Sequence, residues 1–143
     1  MTDLLIWPPL LGVLGMVVAV IIYMIVRSYD PGSEALQKIA DAIHEGAMVF
    51  MKREYTQLAI FAAVLVVAIY FSLGSSTAIA FLAGALSSAC AGWFGMYTAT
   101  QANVRTTNAA HTDGQASALS VAFFGGSIMG LAVASLGLIG LGS

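Results

Sequence analysis

Between Tyr55 and Gln101 the chain runs for 47 residues without a charged side chain. In a helix, about 20 apolar residues at about 1.5 Å of rise each cross the roughly 30 Å hydrocarbon layer of a bilayer. The run is too long for one crossing and has room for two. The polar, glycine-containing segment Leu73-Gly74-Ser75-Ser76-Thr77 divides it. Two more uncharged runs, Leu4 to Val26 and Gly114 to Ser143, lie on either side. The expected spans are therefore Pro9–Val26, Tyr55–Leu73, Thr77–Tyr97 and Ser117–Leu141.

Composition agrees. Hydrophobic residues make up 59% of the chain and charged residues 8%, against roughly 45–50% and about 25% in soluble domains. The expected fold is an all-α membrane protein: four transmembrane helices in an antiparallel bundle, forming a single region over 1–143. A net charge of −2 leaves no basic surface for nucleic acid. Cys90, the only cysteine, excludes an intrachain disulfide framework and a cysteine-based zinc site. A signal peptide is disfavoured at the N-terminus, because no Lys or Arg precedes an apolar stretch longer than a signal core.

All the positive side chains, Arg27, Lys38, Lys52, Arg53 and Arg105, fall in the first and third connections, 27–54 and 98–116. The positive-inside rule makes those connections cytoplasmic and puts both termini outside, as a multi-pass protein of the cell membrane. Trp7 and Tyr70 then lie near the outer boundary, and Tyr29, Tyr55 and Tyr97 near the inner one.

The first connection has its own structure. Asp30-Pro31-Gly32-Ser33 is a turn with Ser33 as N-cap and Glu34 at the positive end of a helix. Leu36, Ile39, Ile43, Ala47 and Phe50 recur at helical spacing. The prediction is one helix from Ser33 to Leu73, its 33–54 part projecting into the cytoplasm and its apolar stripe calling for a large neighbour there. Small residues four apart, Ala80-Gly84-Ser88-Gly92 in the third span and Ala122-Gly126-Gly130-Ala134 in the fourth, are expected to be packing ridges.

The carboxylates Asp3, Asp30, Glu34, Asp41, Glu45, Glu54 and Asp113 all lie outside the four span cores. Ion paths and proton relays use ionisable groups within the membrane. This chain therefore has no expected ion path of its own, unlike proteolipid rotor subunits or four-helix multidrug exporters.

Two segments concentrate the polar chemistry. In the first, Asp41 to Tyr55, His44 shares a helix face with Asp41 but not Glu45, a weak metal set. Lys52 and Arg53 are placed to reach headgroups, with Glu54 as a partner. In the second, Thr98, Thr100, Gln101, Asn103, Thr106 and Thr107 crowd round Arg105, which suits a phosphate, a carboxylate or a helix-helix hydrogen bond.

The first segment resembles the I-x-E-G-A-x-x-F-x-x-R-x-Y stretch of membrane-bound, ion-pumping pyrophosphatases, through Ile43, Glu45, Gly46, Ala47, Phe50, Arg53 and Tyr55. The second is similar to that family's G-M-x-x-x-x-x-A-N-V-R segment, through Gly95, Met96, Ala102, Asn103, Val104 and Arg105. The likeness runs from about Asp30 to the end and covers only the first part of the family's much longer sequence. It implies a homodimeric pump that hydrolyses magnesium-bound pyrophosphate at a cytosolic site and drives protons or sodium ions outward, with these four helices in an outer ring packed on the pump's remaining helices.

The family's D-x7-K-x-E signature is not met: Asp30 and Lys38 have the spacing, but position 40 is Ala40. No catalytic, cofactor-binding or metal residue is assigned, and Mg2+ is expected only in the full-length pump. The chain is expected to be a fragment or truncated product, incomplete as an enzyme. The competing reading is a free-standing membrane scaffolding or assembly protein. A four-helix transporter would have only Ser87, Ser88 and Cys90 as mid-span polar groups.

Overall fold

The computed structural model describes the backbone of residues 2–142 and the side chains of residues 6–141. Asp3 and Ser143, which expectations above name, have side chains outside that range. The chain forms four helices: α1 (Thr2–Ser28), α2 (Glu34–Leu73), α3 (Ser75–Thr112) and α4 (Gln115–Gly142). Each is long and apolar enough to cross a membrane. The all-helical, four-span expectation is met.

Two boundaries differ from the sequence reading. Helix α1 starts at Thr2 and carries Pro8 and Pro9 inside it, where each proline removes one backbone donor from the second turn. Segment 98–116, read as a connection, is helical as far as Thr112. Its threonines lose nothing in a helix, because they bond back to its carbonyls. Thr98 donates to Phe94 O (2.6 Å), Thr106 to Ala102 O (2.9 Å) and Thr107 to Asn103 O (3.0 Å). Only Asp113 and Gly114 separate α3 from α4.

The long helix from the first turn is present. Ser33 caps it by accepting from Leu36 N at 3.5 Å. At the far end a single residue, Gly74, reverses the chain. Its φ of +90° lies in a region that glycine enters without steric cost. Helices α2 and α3, of 40 and 38 residues, each extend about 60 Å, roughly twice the hydrocarbon thickness. They form an antiparallel hairpin whose open end lies beside the α1–α2 turn.

The helices pack in the order α2, α3, α4, α1, with a slight contact between α1 and α3 and none between α1 and α2 among the described residues. The seams alternate steps of three and four. On α1 the seam is Gly12, Gly15, Ala19, Ile22 and Val26; on α4 it is Val121, Gly125, Ile128, Ala132 and Ser135; on α3 it is Gly95, Thr98, Ala102, Arg105 and Ala109. Ala19, Val26, Ala102 and Ile128 form the main core. A second core joins Ala109, Ala118 and Val121 beneath Tyr29.

The expected four-step ridges are not these seams. Ala122, Gly126, Gly130 and Ala134 are all exposed, as are Ala80, Gly84 and Ser88; of the four glycines in these ridges, only Gly92 would bring a Cβ against a neighbour, the Tyr55 hydroxyl. At about 100° per residue, each four-residue step advances about 40° round the helix. Three such steps carry a ridge about 120° away from a nearly aligned partner. Alternating threes and fours drift only about 20° per seven residues and stay on the contact.

Candidate functional site

The α1–α2 turn, residues 29–33, has no support from packing of α1 on α2. It is held by α3. Arg105, 7% exposed, donates from Nε to Tyr29 O at 3.2 Å and from Nη1 to Gln101 O at 2.8 Å and Gln101 Oε1 at 3.3 Å. One turn further on, Asn108 donates from Nδ2 to Asp30 O at 3.2 Å. Thus two buried polar side chains of α3 satisfy the two carbonyls just past the end of α1. A cation there also meets the negative end of the helix dipole.

The turn is closed from within as well. The Asp30 carboxylate accepts from Gly32 N at 2.9 Å, and Gly32 O accepts from Gln37 Nε2 at 2.7 Å. Gly32 has φ +88°, and a Cβ there would lie 2.6 Å from Asn108 Oδ1. The close approach of turn and helix therefore needs glycine.

Arg105 answers the choice left open by the sequence. It forms helix-to-turn hydrogen bonds, and the ion pair present among the described residues is Lys38 with Glu34, exposed at 3.0 Å. Arg105 lies beyond the expected end of the third span. It stays protonated at neutral pH.

His44 turns towards α3 and away from a metal-binding arrangement with Asp41, which is exposed. Its Nδ1 lies 2.7 Å from Thr100 Oγ1, and its ring meets Tyr97 edge to face at 5.2 Å. Thr100 already donates its hydroxyl proton to Tyr97 O at 2.9 Å. It can only accept from His44, so Nδ1 carries the proton. Nothing in the sequence pattern flagged this contact, because it joins residues 56 positions apart.

Part of the predicted α2 stripe finds its neighbour within the chain. Leu36 and Ala47 are half-buried with Ala40, His44 and Met48. Ile39, Ile43 and Phe50 are 63%, 49% and 54% exposed. With Gly46 and Arg53, also exposed, they form a three-and-four seam on a second face of α2, open at Gly46, where a Cβ would meet nothing within 4 Å, and bordered at Ile39 and Ile43 by a groove that Thr100, Asn103, Val104 and Thr107 of α3 also line. Lys52, Arg53 and Glu54 are exposed and make no ion pair among the described residues.

The resemblance noted in the sequence divides along these faces. Gly95 packs against Met129, Ala102 against Gly125, and Arg105 caps the turn. Tyr55 donates to Ala89 O at 2.6 Å. Ile43, Gly46, Phe50 and Arg53 face outward. A family model described as "Inorganic H+ pyrophosphatase" matches residues 13–143. The chain belongs to this pyrophosphatase family.

The match starts earlier than the sequence motifs alone showed and takes in most of α1. Among similar proteins, a K(+)-insensitive pyrophosphate-energized proton pump of Methanosarcina mazei is 40% identical over 145 residues, covering 100% of this chain and 22% of its own length. A K(+)-insensitive pyrophosphate-energized proton pump 2 of Moorella thermoacetica is 42% identical over 135 residues, covering 92% of this chain and 19% of its own. A K(+)-stimulated pyrophosphate-energized sodium pump of Thermotoga maritima is 43% identical over 113 residues, covering 77% and 15%. The chain thus spans about a fifth of the length of these relatives. As a member of the inorganic H+ pyrophosphatase family with four apolar helices, it is a multi-pass membrane protein.

Proposed function

We propose that these helices are the N-terminal part of a pyrophosphate-energised proton or sodium pump, where they scaffold the catalytic helices. The observation that carries this reading is the exposed seam Ile39, Ile43, Gly46, Phe50 and Arg53 on α2. An apolar seam with a glycine at its centre suits close packing of another helix. In relatives about five times longer, other helices of the same protein are available to fill it.

Pyrophosphate hydrolysis in such a pump would use magnesium, held by several carboxylates converging on the cations. The donors in this chain do not fit that task. Among the described residues no three His, Cys, Asp or Glu side chains come together. No chemical step is therefore assigned to this segment. Its share is positional: Arg105 and Asn108 fix the turn, the turn fixes where α2 starts, and α2 presents the seam. By the positive-inside rule this end is cytoplasmic, both termini are outside, and the assembled pump is a homodimer by family resemblance.

The test is reconstitution. The 143-residue chain in vesicles should release no phosphate from magnesium pyrophosphate. Co-expressed with the remainder of the Methanosarcina mazei pump lacking its matching segment, it should restore pyrophosphate-dependent acidification, and Gly46→Trp should abolish that rescue. Hydrolysis by the chain alone, or rescue unaffected by Gly46→Trp, would overturn the scaffold reading.

A further inference from the structure

Along one edge of the α3 contact, on the side of α2 away from the outward seam, lies an open groove of about 660 Å³. Met48, Met51, Lys52, Tyr55, Thr56, Ala59 and Ile60 line it on α2, and Trp93 on α3. We propose that this groove binds an anionic glycerophospholipid from the leaflet on the side of the α1–α2 turn, with the phosphate at Lys52 and an acyl chain along Ala59, Ile60 and Trp93.

The wall is apolar by construction. The Tyr55 hydroxyl is spent on Ala89 O and the Thr56 hydroxyl on Lys52 O, at 2.6 and 2.7 Å. Within the lining, Lys52 alone brings a charge to the rim, and it makes no ion pair among the described residues. Trp93 stacks on Tyr97 with centroids 5.5 Å apart and an interplanar angle of 15°. Its ring thereby becomes a flat, supported surface for a methylene chain.

Position along the helix fits a lipid better than a soluble anion. Lys52 lies just before the expected span start at Tyr55. From Lys52 to Ile60 the helix rises about 12 Å, close to the depth of one leaflet of a roughly 30 Å hydrocarbon layer. The cation therefore sits at headgroup level and the apolar lining at chain level. A lysine stem along an apolar surface with its ammonium at the interface is the expected geometry. The proposal does not depend on the pump reading.

Trp93 reports on the groove directly. The 143-residue chain carrying Trp7→Phe is reconstituted in vesicles of phosphatidylcholine and phosphatidylglycerol, with one lipid brominated at a time. Brominated phosphatidylglycerol should quench Trp93 with about fivefold enrichment over its bulk fraction, the scale of one lysine's attraction to an anionic surface. Lys52→Gln should remove that preference and Arg53→Gln should retain it. Equal quenching by both lipids, no quenching by either because protein covers the groove, or a preference lost with Arg53→Gln but not Lys52→Gln would each overturn it.

Discussion

The Arg105 guanidinium donates to the carbonyl oxygen of Tyr29 from 76 positions away, 3.2 Å from Nε to O. This bond and the Asn108 bond to Asp30 O tie α1 to the start of α2, two helices with no contact between them among the described residues. Arg105→Ala should cost about 1.5–3 kcal/mol, the scale for a hydrogen bond to a charged group. Arg105→Lys, which lacks the fork that reaches Tyr29 and Gln101 together, should recover only part. Equilibrium unfolding in mixed detergent micelles measures both. A change under about 0.5 kcal/mol for Arg105→Ala would remove the clamp from the account.

Adjacent glycines of α4 should respond in opposite directions. A Cβ on Gly125 would lie 2.5 Å from the Ala102 Cβ, whereas one on Gly126 meets nothing within 4 Å. Gly125→Ala should destabilise by about 1–3 kcal/mol through overpacking. Gly126→Ala should be stabilising by up to about 1 kcal/mol, from the lower backbone entropy cost of alanine in a helix. The same unfolding assay on the isolated chain decides it; the reverse order would restore the four-step ridge as the packing face.

His44 should be found as the Nδ1–H tautomer when neutral, because Thr100 has no proton left to give it. Nitrogen-15 shifts of labelled histidine distinguish the two ring nitrogens. Thr100→Val should abolish the preference and cost about 1 kcal/mol. An Nε2–H form in the unmodified chain would mean that Thr100 points its hydroxyl elsewhere.

Membrane sidedness follows from charge. In a Cys90→Ser background, a cysteine at Lys38 should be protected from an impermeant maleimide added outside intact cells, and one at Ser75 should react. Equal labelling would overturn the proposed orientation.

The periodicity of Leu36 and Ala47 with their neighbours, the Ser33 cap and the break at Gly74 were all readable locally, because each depends on residues within a turn or two. The length of α3 was misread for the same reason in reverse. Clustered Thr, Gln and Asn look like a helix exit until their hydroxyls are seen bonding back to the preceding turn. The packing faces were misplaced because Gly126 and Gly125 are equally small. Which of them meets a neighbour depends on how nearly parallel the helices run, and no local pattern carries that angle.

Length and lack of charge were enough to determine four membrane helices, and two short segments were enough to point to the family. Bilayer insertion and helix formation depend on what each stretch of chain exposes to lipid, and that is written in consecutive residues. The role of Arg105, the meeting of His44 with Thr100, and the division of α2 into an α3 contact, a groove beside Trp93 and an exposed seam were decided only by tertiary structure. Each depends on the distance between groups about 35 to 80 positions apart in the chain, a distance set by the crossing of helices and by the size of side chains between them.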